Sequence, residues 1–343
     1  MLTSYHLLWT ARVETPLELA DYPGPELRGA LFDAIWRRSC VNKQAESCLV
    51  CPLVQLCPVS ALLAPVQPRG EDGPGGVGER ISWGRDLPRP YILLPPLGVR
   101  RRYEPGELLR FGLTLFGSII ELLPYIIVSI PEFERQGLGR RLSENGGRRG
   151  TFHVERVEAY HPYNGERQLL YSREQVCAQM PSLSVEADDV RRRATSIPED
   201  RLTLAFLTPL RLVENRSLKH QADFQVLVWR LLERLTRLAL HYGERQEAER
   251  LWSEREHWLT LAQSIRCEED ATRWQDVASY SQRLKRATPI GGLLGHATFV
   301  GNLAPFRELL LWGELVHVGK DTVKGNGWYR IVQAGAPEAL LHL

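Results

Sequence analysis

Apolar residues in this chain of 343 residues change between two periodicities, and they do so in the same order twice. Alternation of apolar and polar residues predicts a strand, whereas apolar residues three or four positions apart predict a helix. The first half follows the order strand, helix, strands, helix and strand, with elements expected at 2–13, 27–38, 91–94, 108–115, 117–130 and 152–160. The second half repeats this logic, with elements expected at 201–207, 223–242, 244–264, 296–300, 305–311, 315–318 and 328–332.

The repeated order predicts an α+β protein with two tandem ferredoxin-like (RRM-like) domains, because β-α-β-β-α-β is the element order of that fold. A chain of this length is long enough for two domains with separate cores. The polar run at 191–200 is the expected boundary, giving an N-terminal domain over 1–195 and a C-terminal domain over 196–343. Residues 65–90 are rich in glycine and proline, so we expect a loop there.

A glycine-rich segment at 319–327 comes directly before the last predicted strand. Glycine lets a backbone approach a ligand closely, and successive N–H groups in such a loop can bind an anion. The segment is not a nucleotide P-loop, because G-x-x-x-x-G-K-[ST] is absent. An ordinary glycine-rich hairpin is the alternative. We predict phosphate contacts from five residues of the segment: Gly319, Lys320, Lys324, Gly325 and Gly327.

Arginine is concentrated in short runs at 100–102, 140–141, 148–149 and 191–193, in surroundings that predict loops. Guanidinium groups bind phosphate and stack on bases, so such loops suit RNA. The net charge of +2 does not by itself indicate nucleic acid, and solvated surface charge is the alternative. The predicted RNA contacts outside the glycine-rich segment are Arg140, Arg141, Arg148, Arg149, Arg283 and Arg286.

Four cysteines follow the pattern C-x7-C-x2-C-x5-C over residues 40–57. A C-x2-C pair can present two thiolates to one metal, and the flanking cysteines complete a tetrahedral set. Disulfides are not expected in a cytoplasmic chain. This cysteine segment predicts a structural zinc site, with an iron–sulfur cluster or free thiols as alternatives. The predicted ligands are Cys40, Cys48, Cys51 and Cys57.

Several short motifs precede the glycine-rich segment in a fixed order. They are Tyr280-Ser281-Gln282-Arg283, Pro289-Ile290-Gly291-Gly292, Gly301-Asn302-Leu303, Leu311-Trp312-Gly313-Glu314 and His317-Val318-Gly319-Lys320. This series resembles the C-terminal domain of the CRISPR repeat-processing endoribonucleases, the Cas-six type of the RAMP superfamily. Weaker landmarks at 27–31 and 137–141 extend the resemblance over most of the chain.

The resemblance implies an endoribonuclease that binds CRISPR repeat RNA or crRNA and cleaves it without a metal. In that reaction the 2′-hydroxyl attacks the adjacent phosphate and leaves a 2′,3′-cyclic phosphate, which requires a base, an acid and a cation. Many relatives carry a histidine on or beside the first helix, where this chain has Leu31-Phe32-Asp33-Ala34. We predict His317, Tyr22 and Lys320 as catalytic residues; a packed, structural histidine is the alternative for His317.

Two other functions fit the same residues. One is a non-catalytic RAMP-type subunit that holds the repeat-derived end of a guide RNA, together with other CRISPR effector subunits. The other is a zinc-containing protein-interaction module, which would show no preference for RNA over other polyanions. No apolar run reaches membrane-spanning length and the N-terminus lacks a signal-peptide layout, so we expect a cytoplasmic protein without a membrane partner.

Overall fold

The computed structural model describes residues 2–66, 87–98, 101–175, 179–281 and 286–332. Most of the loop predicted at 65–90, and the predicted RNA contact Arg283, lie outside the described residues. The described residues form one five-stranded antiparallel sheet in each half of the chain, together with several two-stranded ribbons.

The N-terminal half has nine strands within the described residues: β1 (Ser4–Val13), β2 (Leu17–Glu18), β3 (Tyr91–Leu94), β4 (Arg102–Tyr103), β5 (Leu108–Phe116), β6 (Leu138–Leu142), β7 (Arg148–Gly150), β8 (Phe152–Tyr160) and β9 (Arg167–Ser172). Its described helices are α1 (Gly24–Ser39), α2 (Pro58–Leu63), α3 (Leu123–Ile127), α4 (Ile130–Gln136) and α5 (Ala187–Ala194).

The described strands of the C-terminal half are β10 (Arg201–Leu210), β11 (Val213–Glu214), β12 (Ser217–Leu218), β13 (Arg266–Asp270), β14 (Arg273–Gln275), β15 (Ala278–Ser281), β16 (Arg286–Pro289), β17 (Gly292–Val300) and β18 (Tyr329–Val332). Its described helices are α6 (Phe224–Tyr242), α7 (Arg245–Ser253), α8 (Arg255–Ala262) and α9 (Arg307–Val316).

Strand order is the same in both sheets. The first sheet has the order β3-β5-β1-β8-β9, and the second has the order β13-β17-β10-β18, with β14 also paired to β17. In the first sheet the first long strand, β1, lies between β5 and β8. In the second sheet the equivalent strand, β10, lies between β17 and β18. This order confirms the predicted fold class of two tandem ferredoxin-like units.

The core of each half comes from the faces that the sequence pattern predicts. In the first sheet, Trp9 stacks on Phe111 with ring centroids 5.5 Å apart, and Phe133 contacts both rings edge-on. In the second half, α6 buries its apolar stripe, and the Asp223 carboxylate accepts a hydrogen bond from the Val226 N–H at 3.0 Å to cap the helix. Such a cap contributes about 1 kcal/mol to helix stability.

The two halves pack through a common core. Ile92, Leu94 and Phe116 of the first half lie in the same apolar cluster as the core of the second half. The Tyr242 hydroxyl at the end of α6 donates to the Pro88 carbonyl oxygen at 2.6 Å. At Gly117, φ is +56°, and an added Cβ would lie only 1.6 Å from the Tyr242 carbonyl oxygen. The halves are therefore in backbone contact at this point.

Several local predictions are wrong. The strand predicted at 315–318 does not form, because α9 continues to Val316 and the chain then turns. The helix predicted at 117–130 is divided into a 3-10 turn, α3 and α4, since the prolines at 124 and 131 begin new helices. The arginine runs at 140–141 and 148–149 form strands instead of loops, and the run at 191–193 lies in α5.

The domain boundary at 195/196 stays a prediction. Helix α5 lies before it, yet its side chains Val190 and Ala194 pack in the core of the second half. In the part of the chain that the structure describes, no helix combines the length and apolarity needed to cross a bilayer.

We predict that Gly117→Ala destabilises the protein by at least about 3 kcal/mol, because the new methyl group would overlap the Tyr242 carbonyl oxygen. Gly146→Ala is the matched control: φ is +64° there, but no atom lies within 4 Å of the added Cβ. That change is expected to cost only about 1–2 kcal/mol. Urea denaturation measures both values, and equal losses would contradict the close contact.

Candidate nucleic-acid interface

A cleft of about 1450 Å³ lies between the two halves. Its walls come from α1, the cysteine segment, α6, the β15–β16 hairpin and residues 319–324 of the glycine-rich segment. Among the described residues, five acidic side chains line it, against nine basic ones: Arg28, Arg89, Arg149, Arg211, Arg230, Arg234, Arg237, Lys320 and Lys324. Positive charge is therefore concentrated in the cleft although the whole chain carries only +2, which suits a polyanion.

Helix α6 supplies three of these arginines from one face. Arg230, Arg234 and Arg237 are four and three residues apart, so their side chains lie above one another. Arg230 is held by the Val213 carbonyl oxygen at 2.8 Å and by an ion pair with Glu233 at 2.5 Å. These three arginines were not predicted as site residues, because the helix was predicted from its apolar stripe alone.

Arg234 is the most unusual of the three. Its Nε donates to the Val316 carbonyl oxygen, while one terminal guanidinium nitrogen is buried with no hydrogen-bond partner among the described residues. Burial, and then the neighbouring Arg237, lowers the pKa of Arg234 to about 9, so it stays largely protonated at neutral pH. A buried donor without an acceptor is costly, and an anion in the cleft would satisfy it.

The N-terminus of α1 lies directly against the glycine-rich segment. A Cβ added at Gly24 would lie 1.7 Å from the Lys324 carbonyl oxygen. Tyr22, just before α1, and Lys320 both line the cleft, and the Lys320 side chain is exposed. The Lys324 ammonium instead forms an ion pair with Asp321 at 2.8 Å. The predicted site residues Tyr22, Lys320 and Lys324 thus all line the cleft.

Tyr22 is a proton donor in this setting. Burial, and then the Asp21 carboxylate, raises the pKa of Tyr22 above its ordinary value. Its hydroxyl is therefore protonated at neutral pH and can donate a hydrogen bond or a proton to an anionic oxygen.

The end of the glycine-rich segment is turned into the protein. Gly325 and Gly327 are buried, and at Gly327 φ is +69° and an added Cβ would lie 1.8 Å from the Val318 carbonyl oxygen. At Gly325 it would lie 2.7 Å from the Leu93 carbonyl oxygen. Contrary to the predicted RNA contacts, Gly325 and Gly327 are packed against the protein's own residues, and neither lines the cleft. Gly319 lines the cleft.

Thr208 holds the buried part of this segment in place. Its hydroxyl donates to the Gly325 carbonyl oxygen at 2.7 Å and accepts from the Trp328 N–H at 2.9 Å. Asn326 is buried and donates from its amide to the Ile290 carbonyl oxygen at 2.8 Å. The segment is therefore fastened to β10 and to the residue after β16.

His317 is fully buried, and its ring stacks on Trp328 with centroids 5.7 Å apart and planes 9° apart. Burial, and then the charge of Arg234, lowers the pKa of His317 well below its ordinary value. A general base must contact the 2′-hydroxyl, which a side chain in the core cannot do. The structure contradicts the prediction that His317 is catalytic and places it as a packed, structural histidine.

Carboxylates occupy the α1 wall of the cleft, where no histidine is found among the described residues. Asp33 on α1 forms an ion pair with Arg37 at 2.7 Å. Glu26 accepts a hydrogen bond from the Ala20 N–H at 3.2 Å, and burial is the main cause that raises the pKa of Glu26. The sequence analysis did not single out Glu26.

The predicted arginine contacts of the first half lie on the β6–β7 hairpin. Arg141 is directly opposite Arg149, and Arg148 is opposite Leu142. Arg140 is paired with Glu18 at 2.9 Å, whereas Arg149 lines the cleft. Like charges directly opposite each other across strands are unfavourable, and a bound anion between them would remove the repulsion. Among the other predictions, Arg286 is exposed on β16 but does not line the cleft.

The four cysteines of the cysteine segment all line the cleft. Cys40 follows α1, Cys57 precedes α2, and the Cys51 N–H donates to the Cys48 carbonyl oxygen at 3.3 Å in a 3-10 turn. Burial, and then the three other thiols, raises the pKa of Cys48. Within the described ranges, no three His, Cys, Asp or Glu side chains are arranged to hold a metal ion. The thiols are neighbours but are not gathered around one point.

Comparison with known proteins divides the chain into two matched parts. A family model described as an N-terminal domain, AF_1859_N, matches residues 2–183. The model described as CRISPR-associated endoribonuclease Cas6 matches residues 204–329. No curated protein matches the chain at a significant level.

Solved structures of Cas6 proteins share the fold over nearly the whole chain. Thermus thermophilus Cas6 (TTHB231) has a TM-score of 0.50 at 14% identity and covers 97% of this chain and 99% of its own. The product complex of Cas6 (TTHB231) gives 0.51 at 15% identity, covering 96% and 99%. A partial Cas6-RT-Cas1–Cas2 complex gives 0.54 at 12% identity, covering 98% of this chain and 47% of that one.

The two sheets and these matches give the chain the fold of two tandem ferredoxin-like domains. Since the first model covers more than half of the chain, the chain belongs to the family with that N-terminal domain. Residues 204–329 match the model of the CRISPR-associated endoribonuclease Cas6, which confirms the resemblance drawn from the sequence motifs.

We predict that Thr208→Val lowers the free energy of unfolding by about 2–3 kcal/mol, because it leaves the Gly325 carbonyl and the Trp328 N–H buried without a partner. Thr203→Val is the control, since that hydroxyl only pairs with Thr298 at 2.9 Å in a half-buried position. Chemical denaturation compares them, and equal effects would contradict the role of Thr208 as a clamp.

Proposed function

We propose that this protein binds CRISPR repeat RNA in the cleft and cleaves it there. The observation that carries the proposal is the concentration of nine basic side chains in one cleft, including the buried and incompletely bonded Arg234. Phosphate contacts supply most of the affinity in such a site. Membership of the second half in the Cas6 family makes repeat RNA the substrate class to test first.

The proposed reaction is attack of a 2′-hydroxyl on the adjacent phosphate, which breaks the bond to the 5′-oxygen and leaves a 2′,3′-cyclic phosphate. Lys320 would stabilise the charge on the phosphorane oxygens, and Tyr22 would give its proton to the departing 5′-oxygen. Glu26 is the half-buried carboxylate available to accept the 2′-hydroxyl proton, and its raised pKa makes it a stronger base. The mechanism uses no metal ion.

A second function has one observation in its favour. No histidine lines the described cleft, and Asp33 at the corresponding place is already paired with Arg37. A protein that lacks an efficient base would bind the repeat-derived end of a guide RNA without cutting it. As such a subunit it would act with other CRISPR proteins, and one structural neighbour is part of a Cas6-RT-Cas1–Cas2 complex.

Cleavage of a repeat RNA in EDTA separates the two functions. For the enzyme we expect a cyclic-phosphate end from the wild-type protein, a rate about 100-fold lower or more for Lys320→Ala, and about 10–100-fold lower for Tyr22→Phe. Both variants should bind the RNA within about tenfold of wild type, because eight of the nine described cleft cations remain in Lys320→Ala and all nine remain in Tyr22→Phe. Single-turnover rates and binding isotherms measure these effects.

Arg156→Ala is the matched control, because this exposed arginine of β8 lies outside the cleft. It should cut and bind like wild type. Binding without any cut product by the wild-type protein would support the guide-holding subunit instead. Equal affinity for RNA and for an unrelated polyanion would contradict both functions.

We also propose that the cysteine segment closes around a structural zinc ion. The proposal is supported by the spacing of the four cysteines and by the position of all four in the lining of the cleft. The cysteine segment also has no hydrophobic core of its own, because none of residues 40–57 is buried. Leu49 and Val50 are each 59% exposed, and Leu56 is 89% exposed. A segment without buried side chains needs another source of stability, and metal binding supplies it as folding energy. An iron–sulfur cluster is the alternative occupant.

Metal content tests this directly. Protein purified without chelator should contain one zinc per chain, and Cys48→Ser should lose most of it. Cys267→Ser is the control, since this exposed cysteine on β13 is remote in sequence from the segment and should leave the metal unchanged. Wild-type protein with no bound metal would refute the site, and stoichiometric iron with a visible chromophore would identify the cluster instead.

A further inference from the structure

We propose that Tyr280, on the β15–β16 hairpin, stacks on an unpaired base of the RNA at the rim of the cleft. The inference rests on the proposed function and adds a base contact to a site otherwise described by its phosphate contacts. Tyr280 is 59% exposed and lines the cleft. Its ring therefore faces the space that the RNA would occupy.

The described residues of the hairpin offer Tyr280 little apolar support. In the antiparallel pair, Tyr280 is directly opposite Ala287, and Ala278 is opposite Pro289. Residues opposite each other project to the same face, so the described neighbours of Tyr280 on that face are small. The ring does not join a core, and a two-stranded ribbon gains little stability from an exposed aromatic side chain. Ligand binding gives this residue a physical role that packing does not.

The position of the hairpin is nevertheless fixed. The Val277 carbonyl oxygen accepts hydrogen bonds from Ile290 at 2.8 Å and Gly291 at 3.1 Å, which closes the base of the ribbon. Arg211 donates to the Gly291 carbonyl oxygen at 3.1 Å, and its own carbonyl oxygen accepts from the Lys320 N–H at 3.1 Å. Tyr280 is thus tied through short contacts to the wall that carries Lys320.

A neighbouring aromatic side chain shows the contrast. Trp274 on β14 already has protein partners, with the His220 ring centroid 4.3 Å away and the Arg211 guanidinium 5.8 Å from its ring. No aromatic ring and no guanidinium group of the described residues stacks on Tyr280. Of the two described aromatic side chains on β14 and β15, Tyr280 is the one without a ring or guanidinium partner among the described residues.

The chemistry specifies a single-stranded ligand. A cationic groove that follows the phosphates, combined with an aromatic side chain that stacks on a base, is the usual way in which proteins bind single strands. Bases in an A-form duplex are stacked on each other and do not expose a face to a side chain. We therefore expect Tyr280 to contact a nucleotide outside any hairpin stem of the repeat, next to the phosphate held by Lys320.

The test compares Tyr280→Ala and Tyr280→Phe by fluorescence anisotropy with an unstructured single-stranded repeat RNA and with a perfect RNA duplex. Tyr280→Ala should weaken single-strand binding by about 5- to 100-fold, as expected for one lost stacking contact, and leave duplex binding unchanged. Tyr280→Phe should bind within about twofold of wild type, because phenylalanine keeps the ring. Tyr125→Ala is the control: this tyrosine on α3 is 39% exposed and lies outside the cleft lining.

The outcomes separate this inference from the proposed function. Failure of the wild-type protein to bind RNA contradicts the proposed function and the inference with it. Normal wild-type binding with an unaffected Tyr280→Ala variant overturns the inference alone. Equal losses in the alanine and phenylalanine variants would show a hydrogen bond from the hydroxyl in place of stacking, and a loss on duplex as large as on single strand would also overturn the inference.

Discussion

Backbone contact between the glycine-rich segment and the N-terminal half sets the geometry of the cleft. A Cβ at Gly24 would meet the Lys324 carbonyl oxygen at 1.7 Å, and a Cβ at Gly325 would meet the Leu93 carbonyl oxygen at 2.7 Å. Because no side chain separates the two backbones, the distance between the halves depends little on rotamers. The wall with Lys320 is therefore held at a fixed distance from the start of α1, as a preorganised site requires.

The glycine-rich segment has a buried part and a part that lines the cleft. Residues 325–327 are turned inward, where Thr208 satisfies their backbone and His317 stacks on Trp328. Residues 319–324 stay in the cleft. Burial keeps the His317 imidazole out of the cleft, whereas Tyr22, Lys320 and Glu26 line it. In the proposed mechanism, binding and cutting would depend on different residues of this one cleft.

The position of the positive charges on the protein matters more than the net charge. Many arginines outside the cleft are neutralised locally, as Arg140 is by Glu18 and Arg173 by Glu134. Arg230, Arg234 and Arg237 of α6 and Arg149 of the β6–β7 hairpin line one cleft, and one terminal guanidinium nitrogen of Arg234 has no acceptor among the described residues. Runs of arginine in the sequence indicate the hairpin. They do not indicate the arginines of α6, because residues at helical spacing are not adjacent in the sequence. Their convergence with the hairpin depends on how the two halves pack.

The sequence by itself determined the order of strands and helices, because periodicity and turn residues act locally, and it pointed to the right family through motifs in a fixed order. It also predicted Tyr22, Lys320 and Arg149 as site residues, and all three line the cleft. Only the tertiary structure decided that His317 is buried and that Gly325 and Gly327 face the protein. The burial of a residue depends on residues distant in the sequence that pack against it, and a local sequence pattern contains no information about those contacts.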